Sequence, residues 1–197
     1  MSFTETEHHD RVWAEIDLDA ALFNMEAMHR NLKPETRMTA VIKTDGYGHG
    51  ALRIAEKLEP LDYLWGYAVA TFEEAMELRS GGIQKPVLIL GYVFPYCYEE
   101  LSEYGIRPAC FREDMLEELS MAAQKTGKKT AVHIAVDTAM SRIGVRPDDS
   151  GLSFVKKALE TPGIEVEGIF THFSKADETP KDNTKRQIRE FTEFCDR

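Results

Sequence analysis

The sequence Met38-Thr-Ala-Val-Ile-Lys-Thr-Asp-Gly-Tyr-Gly-His-Gly50 places one lysine, Lys43, between an apolar run and a glycine-rich loop. The run Ala40–Ile42 is short, partly β-branched and bounded by turn residues, which predicts a buried strand that ends at Lys43. In α/β proteins, ligands bind among the loops that leave the carboxyl ends of the strands. Glycines in such a loop let the backbone turn sharply beside a ligand. Lys43 is therefore a candidate amine nucleophile.

Taken alone, these residues leave a plainer interpretation open. A lysine at a strand end usually extends its ammonium group into water. The alternating glycines match neither the phosphate-binding pattern G-x-x-x-x-G-K-[ST] nor the dinucleotide pattern G-x-G-x-x-G.

From Met38 onward, predicted strands alternate with predicted helices. The predicted strands are 38–43, 64–70, 86–90, 107–111, 130–136 and 164–170. This alternation, with nearly continuous apolar strands, predicts a parallel sheet that is covered by helices on its faces. Two architectures fit the pattern, a doubly wound open sheet and a (β/α)8 barrel cut short after its sixth unit. Periodicity alone does not separate them.

Several local predictions concern the ends of elements. Residues 1–10 are predicted to form a polar leader with little structure, and residues 12–18 alternate apolar and polar side chains as a half-buried strand does. Asp19 is predicted to cap the next helix. Thr71 and Glu74 predict a capping box at the start of a later helix. The last helix is predicted to bury a stripe made of Ile188, Phe191, Phe194 and Cys195.

Composition narrows the class of protein. The chain has 197 residues, a hydrophobic content of 43% and a formal net charge of −10, which disfavours nucleic acid and anionic membrane surfaces as partners. No apolar stretch is long enough to span a bilayer, and no secretion signal is predicted. Cys97, Cys110 and Cys195 are widely spaced, which predicts reduced thiols in the cytoplasm and neither a disulfide nor a metal site.

The segment Val41–Gly50 resembles the cofactor-attachment segment of alanine racemases, V-K-A-N-A-Y-G-H-G. The final Y-G-H-G is intact, while Thr, Asp and Gly replace A-N-A. In that family the lysine forms a Schiff base with pyridoxal 5'-phosphate, and the tyrosine donates a hydrogen bond to the phosphate. The resemblance thus implies these roles for Lys43 and Tyr47. The segment W-A-E-I-D-L-D-A near the N-terminus also resembles the opening of these racemases.

Two later segments extend the resemblance. Val136–Gly144, V-D-T-A-M-S-R-I-G, is similar to the family pattern V-D-T-G-M-x-R-x-G, and T-H-F-S-K-A-D-E from Thr171 is similar to T-H-F-A-x-A-D-E. By this likeness Arg142 contacts the phenolic oxygen of the cofactor and the substrate carboxylate, which suits a charged, planar fork of donors. His172 packs against the cofactor ring. Without the resemblance, Arg142 would be read as a surface arginine and His172 as a core histidine.

The chain departs from the family two residues before Asp137. Many racemases have a carbamylated lysine at this position, whose negative charge holds the arginine, whereas this chain has Ala135. Arg142 would then face a small space with an unpaired charge, which is costly unless something fills it. We expect an anion such as chloride, or ordered water, beside Ala135.

The resemblance implies a (β/α)8 TIM-type barrel truncated after about six β/α units. Residues 1–197 would form a single, incomplete N-terminal pyridoxal-phosphate-binding barrel domain, without the C-terminal domain of the family. The implied activity is interconversion of L- and D-alanine by two acid/base groups, which in bacteria supplies D-alanine for peptidoglycan. Lys43 would be one group. The other, in the family, is a tyrosine from the partner subunit of a homodimer, so this chain alone is expected to be inactive.

Two other functions remain open from the sequence. A non-catalytic pyridoxal-phosphate carrier with the same barrel would fit the length better, but such proteins lack Y-G-H-G and V-D-T-x-M-x-R. A related decarboxylase is disfavoured by the same two motifs. The sequence does not decide whether alanine, serine or a broader set of small amino acids is the substrate.

Overall fold

The structure is a computed structural model that describes residues 11–197. The leader predicted for residues 1–10 lies outside the described residues. The strands are β1 (Met38–Val41), β2 (Leu64–Val69), β3 (Val87–Ile89), β4 (Ile106–Cys110), β5 (Thr130–Val136) and β6 (Ile164–Thr171). The helical elements are α1 (Leu18–His29), α2 (Lys43–Gly48), α3 (Ala51–Leu58), α4 (Phe72–Ser80), α5 (Tyr98–Glu103), α6 (Glu113–Thr126), α7 (Asp149–Glu160) and α8 (Asp182–Cys195). A 3-10 turn over Pro95–Cys97 precedes α5.

The six strands form one parallel sheet in the order β1-β2-β3-β4-β5-β6. A doubly wound sheet reverses its strand order at a switch point, so the consecutive order excludes that architecture. The sheet is curled into a half-barrel with its helices outside. Among the described residues, β1 and β6 each pair with a single strand and form the two edges. The predicted strands are confirmed to within about two residues, although β1 ends at Val41 and not at Lys43.

The main core lies between the convex face of the sheet and the helices. Its side chains come from alternate strand positions such as Val69, Ile89 and Ile134, and from helix positions such as Leu78 and Leu119. All five of these residues are at most 1% exposed. Among residues 11–197, no helix combines the length and apolar character needed to cross a bilayer.

The strand predicted over residues 12–18 is wrong. These residues have no regular structure before α1, and Val12 and Trp13 are 86% and 75% exposed. No neighbouring strand pairs with them in the described part of the chain, so the alternating pattern has no sheet to join.

The predicted cap of α1 is also wrong by two residues. Asp17, and not Asp19, caps α1, because its side chain accepts hydrogen bonds from the N–H groups of Asp19 and Ala20.

The buried stripe of α8 differs from the prediction. Gln187 and Phe194 are buried, whereas Ile188 is 47% exposed and Cys195 is also exposed. The helix is therefore rotated so that a polar residue points inward. The predicted stripe assumed a purely apolar surface beneath the helix, but part of that surface consists of loop backbone, as described below.

The concave face of the sheet carries a polar cluster made of Trp65, Arg107, His133 and Glu167. The Arg107 guanidinium donates two hydrogen bonds of 3.0 Å to the Glu167 carboxylate, and His133 Nε2 lies 3.1 Å from the same carboxylate. Trp65 contacts both Arg107 and His133, with Arg107 Cζ 6.0 Å from its ring centroid. Because these residues come from β2, β4, β5 and β6, the cluster joins strands that are not neighbours.

The packing of the cluster also explains why residue 168 is a glycine. Gly168 on β6 stands opposite His133, and a Cβ atom at Gly168 would lie 2.7 Å from the imidazole ring. The hydrogen bonds from Arg107 lower the pKa of Glu167 below its usual value. Burial of the carboxylate raises this pKa in part, and the hydrogen bond to His133 lowers it further.

We predict that Glu167→Gln destabilises the fold by about 1–2 kcal/mol at neutral pH, because a bidentate, partly buried charge pair is lost. A lowered pKa in the folded state means that this contribution is present above the usual glutamate pKa and disappears as the pH falls through the folded-state value. Urea unfolding at several pH values measures the difference. Glu165→Gln, at an exposed position of the same strand, is the control. An equal cost at acidic and neutral pH would contradict the prediction.

Candidate functional site

A cavity of about 580 Å³ opens at the carboxyl ends of the strands. Its apolar wall includes Val41, Leu90 and Phe170, and its polar side chains are Lys43, Tyr47, Thr171, Arg142 and His172, with Tyr92 at one side. This volume lies in the usual range for a small-molecule or cofactor site. The structure thus brings all four residues proposed from the sequence to one cavity.

Lys43 lies at the start of a left-handed turn. The next four residues, Thr44 to Tyr47, have φ values of 54°, 51°, 60° and 56°. A left-handed conformation costs about 1–2 kcal/mol for each residue that is not glycine, and only one of the four is glycine. Such a run persists only when the surrounding structure holds it. The turn presents Lys43 Nζ 5.9 Å from the centroid of the Tyr47 ring, at the mouth of the cavity.

Local hydrogen bonds hold the C-terminal end of the loop, where it meets α3. The Asp45 side chain accepts from the N–H of Ala51 at 2.8 Å, which ties the turn to the first residue of α3. His49 Nδ1 lies 3.0 and 3.1 Å from the carbonyl oxygens of Gly46 and Tyr47, so it donates to them. The His49 of the Y-G-H-G motif therefore supports the loop backbone and does not line the cavity.

A residue from another element holds the N-terminal end of the loop, directly after Lys43. Glu74 on α4 accepts from the N–H of Thr44 at 2.7 Å with one carboxylate oxygen, and from the N–H of Ala70 at 2.7 Å with the other. The capping box predicted at Thr71 is thus only half formed: the Thr71 hydroxyl caps Glu74 N–H, but Glu74 turns to the lysine loop. Glu74 therefore acts as a clamp, because its carboxylate joins Thr44, the residue after Lys43, to Ala70, directly after β2.

Arg142 lies on a loop that leaves β5 and returns to it. Asp137 shapes the start of the loop, since its carboxylate accepts from the N–H groups of Ala139 and Ser141 at 3.1 and 2.9 Å. The loop closes where Val145 N–H donates to Ala135. Gly144 permits this closure, because a Cβ atom there would lie 2.6 Å from Asp137 N. Arg142 is exposed and points into the cavity mouth.

Ala135 is 2% exposed and lines the same cavity as Arg142. Among residues 11–197, no carboxylate lies within ion-pair distance of the Arg142 guanidinium. An anion or water beside Ala135 therefore stays a prediction. No group of three or more metal-ligating side chains occurs in the described part of the chain.

His172 follows β6 and lines the same cavity as Lys43. Burial lowers its pKa first, and the positive charges of Arg142 and Lys43 lower it further. The lowered pKa favours the neutral form of the imidazole. The three charged or titratable groups converge from loops that follow β1, β5 and β6.

Sequence reasoning missed Glu74 and Tyr92 as residues of the site. Glu74 carried a signal, but a glutamate three residues after a threonine is explained fully by helix capping. Its contact with Thr44 spans 30 residues and needs the fold. Tyr92 had no motif and enters the cavity only because it follows β3, whose end lies at the same edge of the sheet.

Residues 16–197 match the family model described as alanine racemase, N-terminal domain. The chain is similar to an alanine racemase of Clostridium perfringens, 45% identical over 93% of this chain and 47% of that protein. It is also similar to one of Desulforamulus reducens, 38% identical over 91% of this chain and 48% of that protein. A solved structure of alanine racemase from Clostridium difficile 630 in complex with cycloserine superposes with a TM-score of 0.91 at 33% identity, over 95% of this chain and 52% of that one. The chain therefore spans about half the length of the relatives that it matches.

We predict that Glu74→Gln loosens the lysine loop. The carboxylate accepts from two N–H groups, whereas an amide has one acceptor oxygen and would turn its NH2 toward the other N–H. Hydrogen exchange at the Thr44 amide, followed by NMR, should accelerate about tenfold or more. Glu77→Gln, at an exposed position of the same helix, should leave it unchanged. Unaltered exchange in a folded Glu74→Gln protein would show that the clamp does not hold the loop.

Proposed function

The chain belongs to the family of alanine racemase N-terminal domains, and from this membership we propose that it forms the pyridoxal-phosphate-binding part of an amino-acid racemase. In this proposal the half-barrel comprises the first six units of a (β/α)8 barrel and is a single domain over residues 1–197. The whole protein interconverts L- and D-alanine. The observation that carries the proposal is the convergence of Lys43, Tyr47, Arg142 and His172 on one cavity.

The residues present fit pyridoxal 5'-phosphate. Lys43 lines a cavity of suitable volume and would supply the amine for attachment of the cofactor. Tyr47 is 58% exposed beside it and can donate its hydroxyl to the phosphate. Arg142 has guanidinium donors that are not engaged by residues 11–197, so they are available for the phenolic oxygen and a substrate carboxylate. His172 offers a neutral ring for stacking.

Bound pyridoxal phosphate would supply an electron sink that stabilises the carbanion left when the α-proton of the amino acid is removed. Once the substrate amine has displaced it from the cofactor, Lys43 would remove or return that proton on one face of the substrate, and a second group must do so on the other face. Among residues 11–197, the other titratable side chains that line the cavity are Tyr47, Tyr92, Arg142 and His172, and the family resemblance assigns the second base to none of them. We place the second base outside this chain, in the remaining half of the whole protein, and propose that the whole protein is a homodimer.

The compartment and the physiological role are further parts of the proposal. Three free cysteines, with no disulfide among them, favour a reducing compartment such as the cytoplasm. The product D-alanine would serve peptidoglycan synthesis. The named relatives are racemases, which supports turnover over a role as a cofactor carrier.

We predict that residues 1–197 incubated with pyridoxal phosphate and then with borohydride gain one cofactor adduct, located at Lys43 by mass spectrometry. Lys43→Ala should gain none, because the attachment amine is gone. Lys129→Ala, which removes an exposed lysine far from the cavity, should behave as wild type. We expect weak binding and no racemisation by this chain alone. An adduct that persists in Lys43→Ala would refute the site.

A second prediction concerns the planar fork of Arg142. Arg142→Lys keeps the charge but loses paired hydrogen bonds. Cofactor affinity, followed by absorbance titration, should fall about tenfold, and turnover of the whole racemase by roughly 10- to 1000-fold. Arg146→Lys changes an exposed arginine that does not line the cavity, so it serves as the control. Equal affinity in both variants would show that Arg142 does not contact the cofactor.

A further inference from the structure

Helix α8 buries a glutamine at a position where apolar side chains are expected. Gln187 is 0% exposed and precedes Phe191 and Phe194 on the inward side of the helix. A buried amide is costly unless its polar atoms find hydrogen-bond partners. The side-chain partners of Gln187 outside α8 are all in the segments that follow β5 and β6, so its burial is linked to the candidate site and not to the apolar core.

The Gln187 amide spans two loops. Its Nε2 donates to the Thr138 hydroxyl at 2.8 Å, in the loop after β5, and to the His172 carbonyl at 3.1 Å, in the loop after β6. Its Oε1 accepts from Ser174 N–H at 3.1 Å and Ser174 hydroxyl at 3.2 Å. Asn183 lies one turn earlier on α8, 3.5 Å from the same Oε1, and donates to the Ser174 hydroxyl at 2.8 Å.

The directions of these bonds are determined by proton counting. The Thr171 hydroxyl donates to the Val136 carbonyl at 2.8 Å, because a carbonyl can only accept. Thr171 must therefore accept from Thr138, which lies 2.8 Å away, and Thr138 in turn accepts from Gln187. A continuous chain of donors thus runs from α8 to the end of β5. A carboxylate in place of the amide could not start this chain.

The connected loops are those that carry Arg142 and His172. Thr138 is four residues before Arg142, and Thr171 and Ser174 flank His172. We propose that Gln187 is a positioning residue, whose buried amide fixes the Arg142 loop relative to the His172 loop. The proposal rests on the proposed function in one respect, since it takes Arg142 and His172 to act on the same cofactor. Gln187 itself does not line the cavity.

A purely structural role would also bury Gln187, so the test needs a readout that reports the site. The imidazole of His172 provides one, because its pKa is lowered by burial and by the nearby charges of Arg142 and Lys43. If the two loops separate, this pKa rises toward the ordinary histidine value. NMR titration of His172 measures it without any cofactor.

The experiment compares three variants of residues 1–197. Gln187→Met keeps the length and removes the hydrogen bonds. Thr138→Val keeps Gln187 and the helix packing but interrupts the chain of donors. Gln124→Met changes an exposed glutamine of α6 and is the control. The first two should raise the His172 pKa and weaken pyridoxal-phosphate binding about tenfold, and the control should change neither.

The outcomes separate this inference from the proposed function. If folded Thr138→Val and Gln187→Met proteins retain the wild-type His172 titration, the positioning role is overturned. If Gln187→Met does not fold, Thr138→Val decides by the same measurement. A wild-type chain that gains no adduct at Lys43 would refute the cofactor site, whereas the His172 titration would still support or overturn the coupling of the loops.

Discussion

Parallel strands in consecutive order impose one geometric constraint from which the site follows. Every strand is followed by its own helix on the outside, so the loops that leave the strands all open at one edge of the curled sheet. Residues far apart in the chain, such as Lys43 and His172, then line the same cavity. The polar cluster around Glu167 lies elsewhere on the concave face, and its residues do not line the cavity.

Three side chains that do not line the cavity hold the loops that contain Lys43, Arg142 and His172. Glu74 accepts from the backbone beside Lys43, Asp137 accepts from the backbone before Arg142, and Gln187 joins the loops of Arg142 and His172. Each holds its loop through main-chain groups or short hydroxyl side chains. Such contacts fix backbone position directly, whereas a contact to a long reactive side chain would leave the loop free to move.

The strands were predictable from apolar runs and the four cavity residues from the resemblance to a known family, because both depend on contiguous segments of sequence. The apolar runs and the motifs around Lys43, Arg142 and His172 are contiguous, and their placement at strand ends follows from the alternation of elements. Features that depend on distant partners were not predictable. The exposed segment before Asp17 has a strand pattern without a neighbouring strand, and Gln187 faces inward only because loop backbone lies beneath α8. The left-handed turn after Lys43 needs supports from α3 and α4 that no local pattern reveals.

The left-handed turn after Lys43 also limits how small a segment can be transplanted into another protein with its geometry intact. Its conformation is unfavourable for the residues that form it and is maintained by a carboxylate 30 positions away and by the start of the next helix. Transplanting Lys43–Gly50 onto another barrel would therefore transfer the residues without their geometry. The smallest portable unit is the whole segment from Met38 to Ser80, which comprises β1, α2, α3, β2 and α4, because only that length carries the lysine together with the groups that orient it.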